Sequence, residues 1–224
     1  MKKVLTSRLV CANLLTDMSV DNGEGNMTRK RLTPAERKEE ILNISLRVFS
    51  EKGYKNTSMR DLVNATGLSA GGLYHHYKST VEILYDLMLQ GCVYRENKIT
   101  ESLRELTEPL SVRALAKIIV DKALDSNPFI PVYVMFLQSM QEDEQLLCLY
   151  QKLRERSIGH LTQMLTNHGY RDFSEETWTF INDFINTLIL GCETLGVRQD
   201  FVSKRLLLEN IMVDALKENR KEID

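Results

Sequence analysis

The groups best able to meet a polyanion lie close together between Thr57 and Lys78. Hydroxyls stand at Thr57, Ser58 and Ser69, a guanidinium at Arg60, a phenol at Tyr74, imidazoles at His75 and His76, and an ammonium at Lys78. Donors and cations of this kind suit phosphate oxygens and base edges. The spacing shows what must position them. Ser58 with Asp61 three residues later is a capping box, and Met59, Leu62 and Val63 give that helix one buried face. Gly67 can end it with a positive φ. Ser69 opens a second short helix, with Leu73 and Tyr77 four residues apart on its inner side and small, aromatic and basic groups on the other. Helix, glycine turn and helix at this spacing form a helix-turn-helix unit, whose second helix can enter a DNA major groove.

Gly71 and Gly72 inside the second helix each cost about 1 kcal/mol relative to alanine. Either they let the helix backbone approach a groove closely, or they allow tight packing between the two short helices. Other chemistry has little support. His75 and His76 are adjacent and point about 100° apart on a helix, so they do not share one ion easily. His160 and His168 lie two turns apart. There is no H-E-x-x-H, no Walker loop and no G-x-S-x-G, and the Gly71-Gly72 pair follows no strand. No catalytic residue, metal site or cofactor is expected.

The unit begins further upstream. Thr33-Pro34-Ala35-Glu36 is a capping box with proline at the first helical position. It starts a helix carrying Ile41, Leu42, Ser45, Leu46, Val48 and Phe49 that stops near Gly53. From Leu32 to about Leu87 the chain resembles the DNA-binding domain of TetR-type transcriptional regulators. The residues carrying this are Phe49-Ser50-Glu51-Lys52-Gly53-Tyr54, Thr57-Ser58-Met59-Arg60-Asp61, Ala65-Thr66-Gly67-Leu68-Ser69 and Leu73-Tyr74-His75-His76-Tyr77-Lys78-Ser79. The rest of the chain carries no signature of the family.

The resemblance implies a role for each position. Tyr74 and His76 would touch phosphates, while Ala70 and His75 lie nearer base edges, on a helix opened by Ser69 and thinned by Gly71 and Gly72. Lys78 would pair with phosphate as a point charge, and Thr57 and Ser58 would offer hydroxyls and backbone N–H groups to another phosphate. Arg60 is either a bidentate guanine contact or an ordinary solvated arginine. The family often has a second lysine where this chain has Thr80. Arg29-Lys30-Arg31 either compensates by reaching the backbone or a minor groove, or is a plain solvated charge run.

Composition agrees once charge is mapped. The 224 residues carry a net charge of −2, yet residues 27–78 hold ten Lys or Arg against five Asp or Glu. Residues 79–224 hold 16 basic against 23 acidic residues, and residues 1–26 balance. A basic head on an acidic body is the asymmetry expected when only the head meets phosphate. Cys11, Cys92, Cys148 and Cys192 are too far apart for a C-x-x-C site. No apolar run is long enough for a membrane span, and Arg8 and Asn13 interrupt the only stretch resembling a signal peptide. A cytoplasmic protein fits. Residues 1–26 read as a poorly ordered extension, with Met27 a candidate start.

Beyond the head the pattern is all-α. Ser79-Thr80-Val81-Glu82 caps a long helix running to about Leu106, and further helices are expected near 111–125, 129–140, 143–168, 174–196 and 201–219. The domains read as 27–78, a helix-turn-helix DNA-binding domain of three helices, and 79–224, a helical ligand-binding and dimerisation domain. Two terminal helices are apolar over more than one stripe. They are either buried in a larger monomeric bundle or, as the resemblance implies, form a two-fold four-helix interface. Ile181, Phe184, Ile185, Leu188, Cys192, Leu208, Ile211, Met212 and Ala215 are the interface candidates. Tyr133, Phe136, Met140 and Trp178 are either plain core or, by the resemblance, the walls of a small-molecule cavity, with Tyr94 and Glu193 as polar orienters.

The reading is a homodimer that binds a pseudo-palindromic double-stranded operator, usually as a repressor, and is released by an unidentified small-molecule effector. Two alternatives stand beside it. One is a regulator of the same fold controlled by a protein partner, and the other is a helical enzyme or ligand-carrying module.

Overall fold

The computed structural model describes residues 32–107, 109–169 and 173–218. The expectations for the extension 1–26, for Cys11 and for Arg29-Lys30-Arg31 lie outside the described residues. Among those described there are ten α-helices, one 3-10 turn and no strand. By compactness the chain falls into residues 1–37 and Lys38–Asp224. In the first unit, Thr33 and Glu36 close a reciprocal cap. Glu36 N–H donates to Thr33 Oγ1 at 3.2 Å and Thr33 N–H to Glu36 Oε2 at 2.7 Å. These bonds pull the Glu36 carboxyl below its ordinary pKa.

Helix α1 spans Pro34–Lys52, α2 Met59–Thr66 and α3 Ala70–His76. Within the second unit, α1 buries Ile41, Leu42, Ser45 and Phe49, one face at steps of three and four. Gly67 adopts φ 67° and its N–H returns to Val63 O, so the chain reverses within two residues of the end of α2. α4 then runs Thr80–Arg104 from the cap at Ser79.

α5 covers Val112–Leu124, α6 Ile130–Ser139, α7 Glu144–Asn167 and α8 Glu175–Leu195. The expected final helix is divided into α9, Arg198–Ser203, and α10, Arg205–Glu218. At the break, Ser203 Oγ donates back to Asp200 O at 2.7 Å, and Lys204 N–H turns to Phe201 O and Val202 O. Arg205 then pairs with Asp121 of α5, and the new helix starts from that anchor.

α4 joins two cores. Its N-terminal half places Ile83, Leu84, Leu87 and Met88 with Ile41, Phe49, Leu62, Leu73 and Tyr77 of the head and with Val132, Phe136 and Leu146 of α6 and α7. Its C-terminal half gives Ile99 and Leu103 to a second core built from α5, α8 and α10. No helix among the described residues is long and apolar enough to cross a membrane.

Candidate functional site

Two caps fix where α2 and α3 begin, and with that which groups each helix turns outward. Ser58 Oγ accepts from Asp61 N–H at 3.2 Å and Ser58 N–H donates to Asp61 Oδ2 at 2.9 Å. Lys52 Nζ reaches Asp61 Oδ1 at 2.6 Å, and these donors hold the carboxyl well below the usual range. Ser69 Oγ accepts from Gly72 N–H at 3.1 Å to cap α3. Leu73 and Tyr77 are buried, so α3 turns Ser69, Ala70, Gly71, Tyr74, His75 and Lys78 to solvent. His76 is half-buried, with its ring edge-on to His75. Lys78 Nζ donates to Tyr74 O at 2.6 Å, which places its charge favourably at the C-terminal end of the helix dipole.

The glycines resolve into two cases. A Cβ on Gly71 would meet nothing within 4 Å, so packing inside the protein does not require glycine there. A Cβ on Gly72 would come within 3.2 Å of the capping Ser69 Oγ. Arg60 is exposed and makes no hydrogen bond or salt bridge among the described residues. Thr57 is buried, and its hydroxyl donates to Gly53 O at 2.7 Å, which closes the loop before α2.

The head is tied down at two places. Tyr77 Oη donates to Asp86 Oδ2 of α4 at 2.9 Å, while Lys38 Nζ lies 4.9 Å from the Tyr77 ring centroid and 3.6 Å from Asp86 Oδ2. Elsewhere Lys55, in the loop between α1 and α2, pairs with Glu142 just ahead of α7. Burial and the neighbouring Asp143 carboxylate hold the Tyr54 phenol above its ordinary pKa at the same junction.

A cavity of about 50 Å³ lies between α4, α5, α6, α7 and α8. Met88, Cys92 and Arg95 of α4 line it at steps of four and three, with Lys122 of α5, Tyr133 of α6, Tyr150 and Arg154 of α7, and Trp178, Asn182 and Asn186 of α8. Its hydroxyls and amides form a chain. Tyr133 Oη donates to Asn186 Oδ1 at 2.8 Å, and Tyr150 Oη accepts from Asn182 Nδ2 at 2.9 Å and Asn186 Nδ2 at 3.0 Å. Burial raises the Tyr133 phenol pKa, so it stays a donor. Burial, and then the charge of Arg95, lower Lys122 to about 8. An apolar chamber of about 30 Å³ adjoins, sharing Lys122, Leu161, Trp178, Ile181 and Ile185 with the first.

Of the residues expected at a pocket, Tyr133 and Trp178 line this cavity. Tyr94 packs on Phe129 under Lys98, Phe136 is wholly buried in the head-side core, Met140 packs on that core, and Glu193 pairs with Arg198. The interface candidates divide. Ile181, Ile185, Leu188, Cys192, Leu208 and Met212 are buried within the chain's own core, whereas Phe184 and Ala215 are half-buried and Ile211 is exposed. Sequence reasoning missed Arg95, Lys122, Tyr150, Arg154, Asn182 and Asn186. One signal was available, the lone lysine inside the apolar run Ile118-Ile119-Val120-Asp121-Lys122-Ala123-Leu124.

Comparisons with known proteins bear on the head segment and on the fold. The family described as bacterial regulatory proteins, tetR family, matches residues 41–87. The HTH-type transcriptional repressor KstR2 of Mycolicibacterium smegmatis is 30% identical over 77 residues, covering 34% of this chain and 38% of that protein. The chain thus aligns with little more than a third of that relative's length. The HTH-type transcriptional repressor AcnR of Corynebacterium glutamicum is 24% identical over 177 residues, covering 74% of this chain and 89% of the repressor. The structure of Salmonella enterica GusR superposes with a TM-score of 0.67 at 18% identity, covering 84% of this chain and 99% of that one, a likeness of fold. Residues 41–87 thus carry the DNA-binding segment of the tetR family of bacterial regulatory proteins, and the all-helical body shares the fold of the solved regulator.

Proposed function

We propose that the protein is a ligand-controlled transcriptional repressor that binds a pseudo-palindromic operator as a homodimer. The observation that carries this is the solvent face of α3, where Ala70, Gly71, Tyr74, His75 and Lys78 are presented on a helix whose opposite side is locked by Leu73 and Tyr77. Each α3 would lie in a major groove, with Lys78 on phosphate and Arg60 at base edges. A protein acting on such a target would work in the cytoplasm.

Dimerisation is supported by apolar surface on the last helices. Phe180 is 43% exposed, Leu195 73%, Leu206 69%, Leu207 58% and Ile211 41%, with Phe184 beside Phe180. Large side chains concentrated on two neighbouring helices are costly to leave in water and suit a second copy of the same surface.

The cavity favours a small-molecule effector over a protein partner. Met88, Cys92 and Arg95 touch it from α4, the helix whose first turns are packed into the head. Tyr150 and Arg154 touch it from α7, which starts beside the Lys55–Glu142 pair. A ligand that wedges these helices apart shifts the population toward a head arrangement unsuited to the operator, and operator binding weakens the ligand by the same factor. Hydroxyl-radical footprinting of the DNA flanking the gene tests the reading. Two protected half-sites about one or more helical turns (34–36 Å) apart on one face are expected. A single unpaired protected site would contradict the dimeric arrangement.

A further inference from the structure

The cavity has a one-sided charge. Three cations reach it from three helices, Arg95, Lys122 and Arg154, and no Asp or Glu is among its lining residues. The acidic groups nearby are engaged elsewhere. Glu96 accepts from Arg156 at 2.6 and 3.3 Å and pairs with His160 Nδ1 at 2.8 Å. Asp125 takes Lys98 at 2.8 Å, and Asp121 takes Arg205.

The three cations themselves have weak partners. Arg95 meets the Cys92 sulfur at 3.5 Å and the face of Tyr133 at 4.9 Å, and Arg154 meets the Thr179 hydroxyl at 2.7 Å. Lys122 has no hydrogen bond or salt bridge among the described residues. All three are half-buried, and cations gathered without a counter-ion in the cavity repel one another, a cost that a bound anion removes. Tyr150 Oη already accepts two amide N–H groups, so its own proton is left to donate, again to an acceptor.

The other side of the site is dry. The adjoining chamber is walled by Ile99, Leu115, Ile119, Met164, Phe173 and Trp178 and reaches polar character only at Lys122. Arg95 and Lys122 also border an open recess of about 380 Å³, which offers a way in from solvent. We infer that the effector is an amphipathic organic anion, its acidic head against Lys122, Arg95 and Arg154 and the Tyr150 hydroxyl, and its apolar body running past Trp178 into the dry chamber. This rests on the reading of the cavity as the effector site. The present volumes hold only a few atoms, so a longer body must part α7 from α4 and α8, the movement that the repressor mechanism requires.

Trp178 is the single tryptophan of the chain and borders both chambers, so its fluorescence reports occupancy directly. The test titrates octanoate, octanamide and octylamine into the full-length protein and into Lys122→Met, with a urea midpoint on the variant to establish folding. Octanoate should shift Trp178 emission saturably, with the amide and the amine about tenfold weaker or more. Lys122→Met should abolish the preference of octanoate over octanamide, and Tyr150→Phe should reduce it. Absence of saturable octanoate binding, or an amide or amine that binds as well, overturns the anion assignment. Operator anisotropy run alongside separates the two claims. Release of operator DNA by the neutral or cationic compound leaves a ligand-controlled repressor with a different ligand class, whereas octanoate binding by a protein with no operator preference overturns the repressor reading alone.

Discussion

Tyr77 ends the recognition helix with its hydroxyl 2.9 Å from Asp86 Oδ2, one turn and a half into the helix that reaches the cavity. The ring is 2% exposed and burial, with Asp86, raises its phenol pKa. This bond ties the C-terminal end of α3 to α4. Tyr77→Phe should cost about 1 kcal/mol of stability in urea unfolding, and it should weaken the effect of ligand on operator affinity. Unchanged coupling in that variant would place the transmission elsewhere.

Gly71→Ala separates folding from recognition. Its Cβ meets nothing within the protein, and alanine favours the helix by about 1 kcal/mol. The variant should melt higher yet bind operator more weakly, because the added methyl meets the groove. Equal operator affinity would show that α3 does not approach the DNA backbone-first.

Lys78 and Arg60 should fail in different ways. Lys78→Ala should weaken binding to all duplexes and lower the slope of log affinity against log salt by about 0.9. Arg60→Ala should cost about 1–3 kcal/mol on operator and relax preference at one base pair. Anisotropy on operator and random duplex checks both, and equal losses on the two DNAs for Arg60→Ala would remove its base-reading role.

Ligand binding should depend on pH through Lys122. The groups around it are Arg95, Cys92 and Glu96 of α4, Tyr133 of α6, Tyr150 and Arg154 of α7, and Asp121 and Arg205 beside the recess. With the free pKa lowered to about 8, an anion must raise it on binding. Octanoate affinity should therefore be highest at about pH 6–7, where Lys122 is charged and the carboxylate ionised, and fall as pH rises through about 8, while octanamide affinity stays flat. Trp178 titrations across that range read the profile, and a flat octanoate curve would contradict the head-group contact.

Ile211→Lys should produce monomers in sedimentation equilibrium, because it puts a charge in the centre of the exposed apolar surface. Ile181→Val, on the buried face of the same helix pair, should lower stability by about 1 kcal/mol and leave the dimer intact. The opposite pattern would reverse the assignment of faces.

Local signals made the head legible. Ser58 with Asp61, Gly67 at a positive φ, and Leu73 with Tyr77 each act over a few residues and state their own geometry. The body was less so. Along α8 both Ile181-Ile185-Leu188-Cys192 and Phe180-Phe184 are apolar stripes, and only packing against α5 decides which turns inward. The cavity was hidden for a different reason. Arg95, Lys122 and Arg154 come from three separate helices; Arg95 and Arg154 each resemble an ordinary solvated charge, and Lys122 alone stands within an apolar stretch.

The most direct test of the central claim is fluorescence anisotropy of the full-length protein on the DNA flanking its gene, against random duplex, over a salt series. The account predicts tight, salt-sensitive binding that prefers the flanking DNA by about 10³-fold or more. Equal affinity for both duplexes with no dependence on salt would contradict it.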